Sequence, residues 1–309
     1  MFHYTIIQWI FFFYIYCFAG WCFESAYVSI RTRKLTNRGF MRGPFLPIYG
    51  SGAIMMLVVS MPFRDNLVLT YIAGCIGATV LEYVTGITME ALFKVRYWDY
   101  SKNKFNFQGH ICLGSTLAWG ILTILMTEFV HVPAEKFVLS IPLQVLTVIT
   151  LVLTVGIAAD FALSFKAAID LRNILMKMEQ AKEELVHIQK RLDVIIALTS
   201  EDMANRKNEF TESMTDLKNG IESKLESLKN AVQTRPSEYL ESVKEELLEL
   251  KTRYAVNLEI RNRLGRLKDF FQRDMLRSNP TMTSVKFKEA LEELKQKASV
   301  RKDNKESEK

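Results

Sequence analysis

The sequence predicts an all-α protein: a polytopic membrane helix bundle of five spans, N-terminus outside and C-terminus inside, followed by a cytoplasmic coiled-coil domain. Three observations predict it. Five apolar segments of about 20 residues, the length that crosses a bilayer, fill the first half of the 309-residue chain. Charge is divided unevenly: residues 1–165 carry 11 Lys/Arg and 8 Asp/Glu, whereas residues 166–309 carry 29 and 26. In the second half, apolar residues recur at alternating intervals of three and four, the period of a coiled-coil seam.

The expected spans are Tyr4 to Ile30, Pro44 to Phe63, Asn66 to Phe93, Ile111 to Val130, and Phe137 to about Phe165. The first has no basic residue in front of it and no small-residue cleavage site behind it, so it reads as a retained helix. Orientation follows from Lys and Arg in the short loops. Arg31, Arg33, Lys34, Arg38 and Arg42 fill the first loop, and Lys94, Arg96, Lys102 and Lys104 the third. The second and fourth carry only Arg64 beside Asp65 and Lys136 beside Glu135. This alternation requires five crossings. A re-entrant second segment, suggested by Pro44, Pro47, Gly50 and Gly52, would put the two basic loops on opposite sides.

Leu171, Ile174, Met178, Ala181, Leu185, Ile188, Leu192 and Ile195 form the seam that continues the last span. Phe210, Met214, Leu217, Ile221, Leu225, Leu228 and Val232 extend it with a four-residue insertion. Arg235-Pro236-Ser237 breaks it. A further helix is expected from Leu240 to Met275, then a break at Ser278-Asn279-Pro280. A short helix over Ser284 to Ala298 and a disordered charged tail complete the chain. The domains are therefore 1–165, membrane; 166–277, coiled coil or helical hairpin; and 278–309, short helix and tail.

Composition limits the function classes. The net charge of +6 is scattered, which suits an anionic inner membrane surface and gives no nucleic-acid footprint. Cys17, Cys22, Cys75 and Cys112 form no C-x-x-C and read as buried apolar residues. The four histidines are dispersed, so no metal site is assigned, and no cofactor is assigned either. No GxxxxGK[ST] loop occurs, so an ATPase engine would be a separate subunit.

Charged residues inside a span cost roughly 2.5–3.5 kcal/mol each on insertion scales. Glu24 lies about 10 Å and Glu82 about 12 Å inside the cytoplasmic boundary at 1.5 Å per residue. Gly74, Ala78, Glu82, Gly86 and Glu90 recur every four residues and form one ridge of the third helix. Its small members let another helix approach, so Glu82 and Glu90 should face protein. Arg38 and Arg42 are the expected counter-ions. They sit in the Gly/Pro-rich stretch from Asn37 to Gly52, whose amides would suit an anion. In the third loop, Asp99 is the one acid among cations and Tyr97, Trp98 and Tyr100 suit the interface.

The string NRGFMRGPFLPIYGSGA, with GWCFES before it and LEYVTGITMEALF, WDYS and FNFQGHICL after it, resembles the ABC-transporter type IV, or CmpB-like permease, family over roughly residues 15–120. The resemblance implies a multi-pass protein of the bacterial inner membrane with a permease role. Its matching motif residues include Glu24, Asn37, Arg38, Tyr49, Glu82, Glu90 and Asp99. The candidate substrate-binding set is accordingly Glu24, Asn37, Arg38, Arg42, Tyr49, Glu82, Glu90 and Asp99, in a polar pocket open to the cytoplasm; no residue is assigned a catalytic role. Expected partners are the lipid bilayer, a second copy through the coiled coil, and a separate ATPase subunit. Two alternatives use the same sequence: an intramembrane enzyme acting on a lipid or prenyl phosphate, and a membrane-anchored coiled-coil scaffold or signalling protein.

Overall fold

The computed structural model describes residues 4–33, 35–199, 214–234, 238–265 and 270–306. The chain is nearly all-α. It divides into two compact units, residues 1–172 with 267–309, and residues 173–266.

In the first unit, α1 spans Ile6–Thr32. Thr5 caps it: its hydroxyl accepts from the Gln8 amide while Gln8 Oε1 accepts from the Thr5 amide. The helix α2, Pro47–Ser60, starts on a proline, whose missing N–H costs nothing in a first turn. A 3₁₀ turn, Met61–Phe63, extends it. The helix α3 spans Leu67–Phe93, with Asn66 Oδ1 accepting from the amides of Val68 and Leu69. It stops at Lys94, whose backbone turns left-handed.

A small antiparallel hairpin follows, β1 (Asn106–Phe107) and β2 (Ile111–Cys112), turning through Gly109 at φ +75°. The helix α4, Leu113–Leu125, continues through a π-helical turn, Met126–Val130, into α5, His131–Ser140. The helix α6 spans Leu143–Thr199. The expected fifth segment therefore begins at Leu143, not Phe137; Pro142 lacks the amide that would carry a helix through this point. The stretch before it belongs to α5.

Among the described residues four helices are long and apolar enough to cross a membrane: Ile6–Thr32, Leu67–Phe93, Leu113–Ser140 and Leu143–Ile196. The expected second span is a shorter apolar helix over Pro47–Phe63. At 1.5 Å per residue it reaches about 25 Å, less than the roughly 30 Å of hydrocarbon.

The faces of α3 separate as the ridge predicts. Gly74, Ala78, Glu82 and Gly86 are buried, while Val68, Ile72, Ile76, Val80, Val84 and Ile87 form an exposed stripe. Close packing explains the glycines. A Cβ on Gly86 would lie 2.8 Å from His110 Nδ1, and one on Gly20 of α1 would lie 2.3 Å from Tyr49 Cβ of α2. The core of this unit joins α1, α2 and the π-turn region through Phe12, Tyr16, Leu57, Met126 and Val138.

The C-terminal helices α9, Phe270–Ser278, and α10, Lys288–Glu306, also belong to this unit. Met275, Leu276, Met282, Phe287, Leu291 and Leu294 are buried between and around them. The helix α10 continues past Val300, where the sequence predicts a disordered tail. Lys, Arg and Glu are good helix formers without apolar neighbours.

In the second unit, α6 continues beside α7, Met214–Thr234, and α8, Glu238–Leu264. Leu185, Ile188, Leu192 and Ile195 share one core with Leu217, Ile221, Leu228, Leu250 and Tyr254. The seam is thus occupied by helices of the same chain. Lys224 reaches Asp193 at 2.6 Å, and Arg261 Nη1 donates to the Met178 carbonyl at 3.0 Å. The helix α8 ends before Gly265, so the expected single helix to Met275 is two pieces. Lys34, Phe210 and Arg235-Pro236-Ser237 lie outside the described residues.

Candidate functional site

The predicted residues fall into three polar clusters rather than one pocket. The first is built on α1, the loop after it, and α2. Glu24 Oε1 accepts from Arg38 Nε at 3.4 Å, and its Oε2 accepts from the Tyr49 hydroxyl at 2.6 Å. The rest of the Arg38 guanidinium faces the C-terminal segment. It donates to the Ser278 carbonyl at 3.2 Å, Asn279 Oδ1 at 2.9 Å and Thr281 Oγ1 at 3.1 Å, and also to the Tyr97 carbonyl at 3.4 Å. Asn279 Nδ2 in turn donates to the Gly39 carbonyl at 2.9 Å. A planar five-donor group is suited to such multiple fixed acceptors.

Asn37 shapes this loop internally. Its Oδ1 accepts from Trp21 Nε1, and its Nδ2 donates to the Arg42 carbonyl, both at 2.6 Å. Arg42 pairs with Asp274 at 3.3 Å and lies 4.7 and 4.6 Å from the ring centroids of Phe270 and Phe271, a cation–π arrangement. The Gly43 amide donates to Asp160 Oδ2 at 2.9 Å, so Asp160 holds the loop.

The second cluster surrounds Glu82, which is 5% exposed. Its Oε1 accepts from the Tyr100 hydroxyl at 3.0 Å. Its Oε2 accepts from Trp119 Nε1 at 2.9 Å and Ser115 Oγ at 3.3 Å. All three partners are neutral. Burial, then the charge and hydrogen bond of Glu82, push the Tyr100 phenol well above its ordinary value, so it stays a donor. Tyr49 and Tyr100 lie within electrostatic reach of each other, and Tyr100 within reach of Glu24. Two carboxylates on different helices are thus each bonded to a tyrosine hydroxyl.

The third cluster closes the end of α3. Glu90 Oε2 accepts from Arg96 Nε at 2.8 Å and approaches His110 Nε2 at 3.1 Å. Arg96 Nη1 stands 3.6 Å from Asp99. Asp99 accepts from the Ser101 amide at 2.9 Å and from Thr283 Oγ1 at 3.3 Å. Partial burial would raise the Asp99 pKa. The Ser101 bonds, the Arg96 charge and Thr283 outweigh it and hold the carboxyl below the usual range. The backbones of Arg96 and Thr283 exchange two hydrogen bonds, of 2.7 and 2.9 Å. Beside this cluster lies an open cavity of about 620 Å³.

The expected counter-ions need correcting. Arg38 serves Glu24, Arg42 serves Asp274, and Arg96 serves Glu90; Glu82 has no basic partner among the described residues. The reason is local. The left-handed turn at Lys94 folds the following strand of chain back along the last turn of α3, which brings Arg96 to Glu90.

The predicted residues of these clusters lie within a stretch that matches a known family over residues 11–165, just over half of the chain. That family is described as "Putative ABC-transporter type IV". The chain belongs to it. No curated protein and no solved structure matches this chain. As a member of the ABC-transporter type IV family with several span-like helices, it is a membrane protein of a transport-related group. The family match holds every predicted site residue. Asp274, Ser278, Asn279, Thr281 and Thr283, which hold the arginines and Asp99, lie beyond it.

Sequence reasoning missed those C-terminal partners, and Tyr100, Ser115, Trp119 and His110 as ligands of carboxylates. It also missed a network near the start of α1. There the Tyr16 hydroxyl lies 2.6 Å from His131 Nδ1, and the Tyr4 hydroxyl 3.0 Å from His131 Nε2; Tyr4 also bonds Glu135. His131 directly follows the π turn, a feature that favours functional or strained places.

Proposed function

We propose that this protein is the membrane-embedded permease component of a bacterial inner-membrane transporter. Its polar path is carried by Glu24, Tyr49, Tyr100 and Glu82. The supporting observation is that two carboxylates, one on α1 and one on α3, each accept a hydrogen bond from a tyrosine hydroxyl. In this reading the chain crosses the membrane five times, α2 included, with the N-terminus outside and the C-terminal half in the cytoplasm. Alternation of the basic loops supports that topology. The C-terminal segment closes the cytoplasmic mouth over Arg38. Glu82, held by neutral donors, can accept a proton or a cation without first breaking an ion pair, which suits a site that must load and unload, whereas Glu24 is tied to Arg38.

No phosphate-binding loop motif occurs in the chain, so ATP-driven transport would draw on a separate ATPase subunit. The second unit offers it, or a second copy, a helical docking surface.

The test is complementation of a deletion strain by Tyr49→Phe and Tyr100→Phe. Each removes one hydroxyl from the path and leaves the ring in place. At wild-type membrane levels both are expected to lower complementation at least tenfold, the effect of losing a hydrogen bond to a charged group. Full complementation by both removes the path.

A further inference from the structure

The arginines that the sequence offers to an anion are already occupied by the C-terminal segment. Further positive charge lines the open cavity of about 620 Å³ at the end of α3, where Lys286 Nζ stands 5.6 Å from the centroid of the Phe287 ring. Lys94, Arg96, His110 and Lys286 line it, with Ile87 and Val285 as apolar wall. Arg96 and His110 are engaged with Glu90. Lys94 and Lys286 are exposed, and no carboxylate lies within ion-pair distance of either among the described residues. Lys94, Arg96 and Lys286 against Glu90 leave the lining two fixed cations in excess of its one acid.

The wall adds a second requirement. Ile87 is 37% exposed and belongs to the outward stripe of α3 with Val80 and Val84; Val285 is 71% exposed. The cavity therefore opens along an apolar face that a membrane helix presents to lipid. The carbonyl end of α3 by itself repels an anion, so the lysines must supply the attraction. An apolar wall beside two lysines at a span's end is an arrangement that suits an anionic amphiphile.

We propose that this cleft binds a phosphate-bearing anion between Lys94 and Lys286, and that its apolar wall selects the head group of an anionic phospholipid over free phosphate. Lys286 lies on the C-terminal segment and Lys94 at the end of α3, so the bound phosphate ties the two together. This site is separate from the transport path and stands without it.

The test uses the full-length protein in neutral detergent. Binding of dioctanoyl-phosphatidylglycerol, dioctanoyl-phosphatidylcholine and inorganic phosphate is titrated by calorimetry, and each ligand's effect on the melting temperature is recorded. Expected is saturable binding of phosphatidylglycerol, at least tenfold weaker binding of phosphatidylcholine, and a raised melting temperature with phosphatidylglycerol alone. The double variant Lys94→Gln/Lys286→Gln should lose roughly 10- to 30-fold in affinity for phosphatidylglycerol. Its unliganded melting temperature should match wild type; if it does not, the single variant Lys286→Gln carries the comparison, with a loss of about fivefold. Inorganic phosphate binding as tightly as the lipid, and lost in the same variant, overturns the lipid assignment and makes the free anion the ligand. Equal affinity for the two lipids, or variants that bind phosphatidylglycerol like wild type, overturns the site.

Discussion

Glu24 and Glu82 are both carboxylates of membrane helices, and their surroundings differ in kind. Glu24 shares its charge with Arg38, and Arg38 is anchored to Ser278, Asn279 and Thr281 of a distant segment. Glu82 is more deeply buried and meets only the hydroxyls of Tyr100 and Ser115 and the indole N–H of Trp119. An ion pair with several fixed acceptors is a fastening, because moving it strands a charge. A carboxylate held by neutral donors can change its charge state while its partners remain in place. Within the proposed path, Glu24 is therefore the fastened member, tied through Arg38 to the C-terminal segment, and Glu82 the member free to change its charge.

The largest expected effect breaks the fastening. Arg38→Ala leaves Glu24 and the Asn279 carbonyl oxygen without their donor. This pair is part-buried, with side chains 12% and 24% exposed, and Glu24 keeps the Tyr49 bond, so the cost is at most the low end for a buried pair, about 3 kcal/mol. Limited proteolysis at residues 278–287 should accelerate roughly 100-fold. An unchanged cleavage rate would show that Arg38 does not hold the segment.

Next is Glu82→Gln, which turns one acceptor oxygen into a donor facing donors. A loss of about 1–3 kcal/mol is expected, read as a lower thermal-inactivation temperature and a shift in the emission of Trp119. The C-terminal segment should stay protected from protease in this variant; if it is released, the two clusters act as one.

Asn279→Ala tests a single strand of the fastening. It removes bonds to Arg38 and to the Gly39 carbonyl, worth about 1–2 kcal/mol together, so cleavage should rise about tenfold. The smallest effect concerns pH. Asp99 has a folded-state pKa below its unfolded value, so its contribution is complete above the ordinary aspartate value of about 3.9 and is lost as pH falls through the lower folded value. Protease release of the segment should therefore gain a small acid-dependent rise only below about pH 4, absent in Asp99→Asn.

The membrane half was readable because helices write their faces into sequence. The four-residue recurrence from Gly74 to Gly86 marks the buried side of α3; the irregular backbone expected from Asn37 to Gly52 ends at Leu46, because Pro47 opens α2 and Gly50 and Gly52 lie within that helix. Glu24, Arg38 and Tyr49, which the sequence offers in one candidate set, meet through the two oxygens of Glu24. The partners of Glu82 were harder to see. Tyr100, Ser115 and Trp119 reach it from a loop and a second helix, and no periodicity links them. The C-terminal clasp was invisible for a plainer reason. Asn279 is 241 residues from Arg38, and the Ser-Asn-Pro string looked only like a place where a helix stops. The short length of α2 was likewise hidden, since Pro44-Phe45-Leu46 is apolar yet not helical.

The most direct measurement is complementation of the deletion strain by Glu82→Gln beside Asn279→Ala, each at matched membrane abundance. Glu82→Gln is expected to fail while Asn279→Ala supports growth, because one removes the chargeable group and the other only loosens the clasp. Growth restored by Glu82→Gln to the wild-type level would contradict the division of roles.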